Sequence, residues 1–432
     1  MKNVLVIPSG TEIALEIHEA LCRRRDLQLF GAESTHNSHA GFVFLHNWSV
    51  PWCGENEFLE RVNALVKQHS IDYLFPAHDD VQLALLRARS HVPCAVISSP
   101  LETLEITRFK SRTYNRLRDV VRVPALLDPA DVEKRDYPVF VKPDRGHGSR
   151  NTYLCRNREQ LEAALQSSND MLVCEHLSGR EVTVDCFSDR DCGLLFVDSR
   201  LRTRTRAGIS VRSEAIEVRD VREIIEKIAE RLKFFGAWFV QLKERAAGEW
   251  FLVEIGARIA GGATYQRLRG VNLPLLTLFE HERRALEIIV QPFDLRMDRA
   301  FVSRFQFQFD YRTLYVDFDD TLCVKGEPNP YLVALVVTAR HREKKTVLLS
   351  RNDGNCRDWL NLHGIAGLFD RIILLDRATP KRVHIEPGGL LIDDSFAERK
   401  ACREAGIISF DADAAEALLQ HLQRYRDPGR DK

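Results

Sequence analysis

Short apolar runs that stop abruptly, each followed by an amphipathic stretch, set what this chain can fold into. Residues 4–7 (VLVI) form such a run, and residues 11–21 follow with apolar side chains at helical spacing. Residues 72–75, ending at Pro76, and residues 93–98 read as further buried strands. Strands alternating with helices in this way predict an α/β protein. At 432 residues the chain is too long for one ordinary core, so two or three domains are expected.

The texture of the sequence places the boundaries. Residues 1–98 resemble a small Rossmann-like domain, without the G-x-G-x-x-G that a dinucleotide site would need. Residues 99–306 open with a helical stretch at 101–117 and become strand-rich with glycine turns. After Pro292 an alternating segment, FVSRFQFQFDYRTLY, leads into a fresh α/β unit assigned to residues 307–432, large enough to fold alone.

Basic and acidic residues both total 62, a balance that argues against a nucleic-acid or anionic-membrane partner. The ten cysteines are scattered from Cys22 to Cys402 with no C-x-x-C, so reduced thiols are expected, with neither a zinc site nor a disulfide framework. The opening MKNVLVIPSG reads as a strand rather than a signal peptide, and no apolar run approaches a membrane span. A soluble cytoplasmic enzyme is the expectation, and a homodimer is compatible with it.

The strongest local signal is LYVDFDDTL at 314–322, an apolar strand ending in a burst of carboxylates. Such crowding is costly without a bound cation, so a metal is expected there. Further on, Ser350 ends an apolar strand, Lys381 follows, and Asp393-Asp394-Ser395 ends another strand. These four spots together resemble the haloacid-dehalogenase (HAD) superfamily over about residues 311–425, its D-x-D-x-T matching Asp317, Asp319 and Thr321. The resemblance implies a Rossmannoid phosphatase domain in which Asp317 is the nucleophile and Asp319 the acid and base. It further implies that Ser350 and Lys381 hold the phosphate, and that Asp393, with Asp394 beside it and Asp317 and Asp319 opposite, completes a Mg²⁺ site. Little chain separates Leu322 from Ser350, so no large cap domain is expected.

In the centre, a strand delivers Lys142 and a loop then carries Gly146, Gly148 and Ser149. Small residues let backbone N–H groups close over phosphate oxygens while a lysine neutralises charge. With Lys110 upstream and Glu175, Glu181, Gln241, Glu254, Arg258 and Gly261-Gly262 downstream, the order resembles the ATP-grasp superfamily over residues 1–300, particularly carboxylate–amine ligases and carbamoyl-phosphate-synthetase-like members. That resemblance implies a Rossmann-like pre-ATP-grasp domain followed by an α+β ATP-grasp domain. Lys110 and Lys142 would hold the ATP α/β-phosphates, and the loop from Gly146 to Ser149 would cover the β/γ-phosphates. Glu175 would sit at adenine, Glu181 at ribose, Glu254 and Gln241 at Mg²⁺ (with Mn²⁺ as an acceptable substitute), and Arg258 at the transferred phosphate. Family members often carry Glu-x-Asn at the metal, whereas this chain has Glu254-Ile255-Gly256 and a neutral Gln241; Glu244 or a substrate group is expected to compensate.

Arg200, Arg202, Arg204 and Arg206 alternate, so on a strand they would share one face and grip a phosphate or carboxylate; a solvated face is the bland reading. His147 reads as a solvent-touching loop residue. Asp79 and Asp80 suit equally a helix cap or a position facing the cleft. Residues 221–232 read as a helix with one core-packing face, and Cys323 as a packing residue. The expected activity is bifunctional: a ligase joining a small-molecule carboxylate to an amine with ATP, and a phosphatase acting on a phosphorylated small molecule of the same pathway. The alternative is a phosphatase whose ATP-grasp half only binds nucleotide as a regulatory module.

Overall fold

Strand Lys2–Ile7 lies at the centre of a five-stranded parallel sheet, with Leu27–Glu33 and Asn47–Ser49 on one side and Tyr73–Pro76 and Ala95–Val96 on the other. Its side chains divide between two cores. Val4 and Val6 join Ile13, Ile17 and Leu21, while Leu5 and Ile7 join Phe58, Val62 and Leu65. Burial on both faces is why the run carries no polar residue. Helix Glu12–Leu21 starts where Thr11 Oγ1 accepts the Ala14 N–H at 3.1 Å, an N-cap that relieves one of the orphan donors of the first turn.

The computed structural model describes residues 1–35, 38–146, 148–206, 208–305, 307–352, 356–376 and 378–424. The chain falls into two units, Met1–Phe301 and Val302–Lys432. Within the first, the parallel sheet packs through Val4, Val6 and Phe75 against Phe187, Ala237 and Ile259. Those residues belong to a six-stranded antiparallel region ordered Trp250–Gly256, Gly236–Glu244, Glu181–Asp189, Gly193–Arg206, Ile209–Ala215 and Arg296–Asp298, or lie just after its first strand. A smaller antiparallel sheet, ordered Leu126–Leu127, Met171–Glu175, Val139–Pro143 and Tyr153–Cys155, buries Val139 and Val141 against Leu161 and Ala164 of helix Arg158–Leu165.

Residues 101–117 form two helices, Leu101–Thr107 and Lys110–Leu117, where the sequence periodicity reads as one. Phe109 is extended between them (φ −114°, ψ 121°). Asp144, 33 residues away from Ser111, caps the second helix by accepting its N–H and Oγ–H, both at 2.7 Å. Such a break is set by a distant partner and leaves the apolar spacing intact.

The second unit is built on a five-stranded parallel sheet ordered Arg371–Leu374, Lys345–Ser350, Thr313–Val316, Gly389–Ile392 and Ile408–Phe410. Leu314 and Val316 of its central strand pack with Leu332, Leu335 and Leu418 from helices Pro330–His341 and Ala415–Arg424, while Tyr315 faces the opposite core. Of the alternating segment at 301–315, only Thr313–Val316 is a strand among the described residues. Between Leu322 and Ser350 stand only a short hairpin, Cys323–Val324 with Glu327–Pro328, helix Pro330–His341 and the start of the next strand. Among the described residues no helix is long and apolar enough to cross a membrane.

Candidate functional site

Lys142 rides on the third-ranked strand of the small sheet, Val139–Pro143, and its side chain is almost wholly buried, 4 % exposed. Its Nζ donates to Tyr114 Oη at 2.6 Å, and that hydroxyl donates to the Val253 carbonyl at 2.7 Å. Lys110 comes from the first turn of the helix that Asp144 caps. Both lysines line one open cleft together with Gly146, Gly148, Ser149, Glu175, Glu181, Gln241 and Glu254. Nine candidate residues scattered over 145 positions of sequence thus meet in one place, between the small sheet and the six-stranded one. His147, which the sequence places in the same loop, lies outside the described residues.

Cation crowding defines the floor of the cleft. Burial pushes the Lys110 ammonium down, Lys142 and Arg108 push it further, and Glu254 opposes them. Burial likewise lowers Lys142. An anionic ligand there would relieve both, the condition for a phosphate site. Glu175 accepts the Ala125 N–H at 3.0 Å through one carboxylate oxygen, with Arg245 3.7 Å from the other. Glu181 is held by Arg202 at 2.9 Å and Lys243 at 3.7 Å. The glycine loop has left-handed backbone at Gly148 (φ 62°) and Ser149 (φ 52°), and it packs directly on Gly208, where a Cβ would stand 2.3 Å from the Gly148 carbonyl carbon.

Gln241 and Glu254 are direct cross-strand partners, so their oxygens face the cleft from adjacent strands. Oxygen donors suit Mg²⁺, which takes its remaining ligands readily from phosphate. The residues present therefore fit one such ion. Gly256 has no room for a further ligand, because a Cβ there would meet the Phe239 ring at 2.2 Å. Glu244, the expected substitute, is engaged elsewhere: it is buried, pairs with Arg180 at 2.7 Å and accepts the Gly248 N–H at 3.2 Å. Arg258 does not line the cleft. It stacks over Phe239 at 5.4 Å and pairs with Asp79 at 2.7 Å. Burial alone would raise the Asp79 carboxyl, yet Arg258 holds it well below the usual carboxylate range.

The four alternating arginines do not act as one row. Two register shifts, around Arg202 to Thr205, break the alternation along strand Gly193–Arg206. Arg200 is 2 % exposed and pairs with Asp185 at 2.8 Å. Arg202 turns to Glu181, Arg204 pairs with Asp298 at 2.5 Å, and Arg206 lies over Phe301 at 4.4 Å. A shared anion grip is replaced by four separate protein partners. Residues that spacing did not single out support the cleft from behind: Tyr114 under Lys142, and Arg108, which donates to the Gly146 carbonyl at 3.2 Å and to Asp80 at 2.8 and 3.1 Å. Asp80 also takes Arg145, so it faces the glycine loop while His78, not an aspartate side chain, caps the helix Asp79–Arg87.

In the second unit, the central strand delivers Asp317 and its parallel neighbour delivers Asp393, both just past the C-terminal ends of their strands. Lys381 Nζ sits between them, 2.5 Å from Asp317 Oδ1 and 2.6 Å from Asp393 Oδ2. Asp317, Asp393 and Asp394 bring one oxygen each within 4.8 Å of one another, an all-oxygen set that fits Mg²⁺. Burial, helped by Asp393 and opposed by Lys381, pushes the Asp317 carboxyl up to about 6. Ser350 is fully buried at the end of its strand and Thr321 bonds both the N–H and the carboxylate of Asp394. Asp319 is exposed, outside the three-carboxylate set, and accepts from Asn352. Cys323 is half-buried against the core, and burial pushes its thiol up, away from the thiolate.

A family model described as "ATP-grasp in the biosynthetic pathway with Ter operon" matches residues 167–297. No curated protein matches in sequence. Among solved structures, the fold resembles biotin carboxylase from Campylobacter jejuni, in a β,γ-ATP complex, at TM-score 0.57 and 16% identity over 66% of this chain and 72% of that one. The biotin carboxylase domain of the Hydrogenobacter thermophilus 2-oxoglutarate carboxylase, a dimer with MgADP, ADP and bicarbonate, matches at TM-score 0.57 and 18% identity over 66% and 71%. N5-carboxyaminoimidazole synthetase from Staphylococcus aureus with ADP matches at 0.56 and 12% over 66% and 78%. The family match supports an ATP-grasp region at residues 167–297, and the solved structures share the fold.

Proposed function

We propose that the chain is a bifunctional enzyme, an ADP-forming ligase that joins a carboxylate to an amine, fused to a Mg²⁺-dependent HAD-type phosphatase. The observation that carries the ligase reading is the convergence of Lys110, Lys142, Gly146, Gly148, Ser149, Glu175, Glu181, Gln241 and Glu254 on one cleft. Lys110 and Lys142 would neutralise the α/β-phosphates, and the glycine loop would donate N–H groups to the β/γ-phosphates. A substrate carboxylate oxygen attacks the γ-phosphorus as the bond to the β-bridging oxygen breaks, releasing ADP. The amine then attacks the acyl carbon, the C–O bond to phosphate breaks, and the amine loses a proton. Lys142 keeps its place through Tyr114, so charge neutralisation is built in before nucleotide arrives.

The phosphatase reading rests on Lys381 bridging Asp317 and Asp393 at the C-terminal ends of two neighbouring strands. Asp317 attacks phosphorus, the bond to the leaving oxygen breaks, and Asp319 gives that oxygen a proton, leaving an aspartyl-phosphate and a free alcohol. Water then attacks phosphorus, passes its proton to Asp319, and frees inorganic phosphate from Asp317. Bound Mg²⁺, held by Glu254 and Gln241 in one site and by Asp317, Asp393 and Asp394 in the other, would supply charge stabilisation to the phosphoryl oxygens. Hydrolysis of p-nitrophenyl phosphate with Mg²⁺ tests this half: Asp317→Asn is expected to abolish it, and hydrolysis undiminished in that variant would refute the assignment.

One observation favours a second reading, in which the ATP-grasp half binds nucleotide without turnover. Phe239 occupies the space beside Gly256, so no side chain at that position can join Glu254 and Gln241 at a metal. ADP release that depends on added carboxylate and amine would eliminate this alternative.

A further inference from the structure

The loops that follow two neighbouring parallel strands emerge side by side, because Val316 is in register with Leu348. Beyond those strand ends, Asn352 lies against Asp319. Its Nδ2 is 3.1 Å from Asp319 Oδ1 and 3.2 Å from Oδ2, and its backbone N–H donates to Ser350 Oγ at 3.0 Å. We propose that Asn352 is a positioning residue that holds Asp319 in line for proton transfer to the leaving oxygen. The inference rests on the phosphatase reading and extends it to a residue outside its four motif positions.

The need for such a partner follows from where Asp319 sits. It is exposed, it stands outside the three-carboxylate cluster, and the next residue, Asp320, has left-handed backbone (φ 50°). An exposed aspartate samples several rotamers, and a general acid is useful only when its proton points at the reacting oxygen. A side-chain amide suits both halves of the reaction. Its N–H groups donate to a carboxylate, and they donate equally to the carbonyl oxygen of the protonated acid, leaving the hydroxyl for the substrate. The same residue's backbone N–H occupies a lone pair of Ser350 Oγ, which leaves that hydroxyl's own hydrogen available for phosphate. One short loop therefore ties the proton donor to the phosphate-holding serine.

The leaving-group dependence of hydrolysis tests the proposal, because only a proton-transfer role makes poor leaving groups suffer most. In the full chain with Mg²⁺, Asn352→Ala is expected to leave kcat/KM, which reports the first transfer step alone, within about twofold for p-nitrophenyl phosphate while lowering it roughly tenfold or more for an alkyl phosphate. The retained p-nitrophenyl activity also reports that the variant is folded. In an Asp319→Ala background, adding Asn352→Ala is expected to change the slope no further. Equal losses of kcat/KM across the ester series, or a steeper slope in the double variant, would overturn the proposal. Wild-type protein that hydrolyses none of the esters would instead sink the phosphatase reading beneath it.

Discussion

Lys142 shows how a single residue was both legible and incompletely so. Its place after an apolar strand and before two glycines pointed to phosphate, and it does line the cleft. What the sequence did not display is the hydroxyl of Tyr114, 28 positions earlier, that accepts its hydrogen bond and donates one to the Val253 carbonyl. Contacts of that kind depend on which helix faces which strand, and helical periodicity explains Tyr114 just as well as a core residue. Lys142→Met keeps the packed stem and removes the charge. It is expected to weaken Mg·ATP binding at least tenfold by calorimetry, since a charged hydrogen bond to phosphate is worth about 1.5–3 kcal/mol, with little change in thermal stability. Unaltered affinity would exclude Lys142 from the phosphate site. Arg108 was likewise invisible, a lone arginine at what read as mid-helix, until the break after it turned its guanidinium toward Asp80 and Gly146.

At the level of elements, period and apolarity identified three of the five strands in each parallel sheet, because strands buried on two faces write uninterrupted apolar runs. They failed where a tertiary contact overrides the period. The break between Leu101–Thr107 and Lys110–Leu117 is fixed by Asp144, and the arginine row is cut by register shifts that no alternation count reveals. The consequence is measurable. Arg200→Met strands the buried Asp185 and is expected to cost about 3–5 kcal/mol in denaturant unfolding. Arg204→Ala, at an exposed pair with Asp298, is expected to cost under about 1 kcal/mol. Equal costs would contradict the division between a structural Arg200 and a surface Arg204. The glycine loop makes a companion case. Gly208→Ala places a methyl group against the Gly148 backbone at a left-handed position (φ 72°). It is expected to displace the loop and reduce nucleotide affinity more than it reduces melting temperature; unchanged affinity would show that the loop closes independently of Gly208.

For the molecule as a whole, two units carry two constellations, one in the cleft between the first unit's small and six-stranded sheets and one at the C-terminal ends of the second unit's inner strands. Fusion gives the pairing its sense: a tethered second site meets the first site's product at raised effective concentration when the two act on one pathway. Separate variants should then separate the chemistry, Lys142→Met silencing nucleotide use while ester hydrolysis persists, and Asp317→Asn the reverse. The most direct test of the bifunctional account uses the Asp317→Asn protein with Mg²⁺, ATP and a metabolite extract, read by mass spectrometry. The account predicts ADP together with a new condensed species that still carries its phosphate and that wild-type protein converts to the dephosphorylated form. Intact ATP, beside undiminished phosphate-ester cleavage by the wild-type chain, would contradict it.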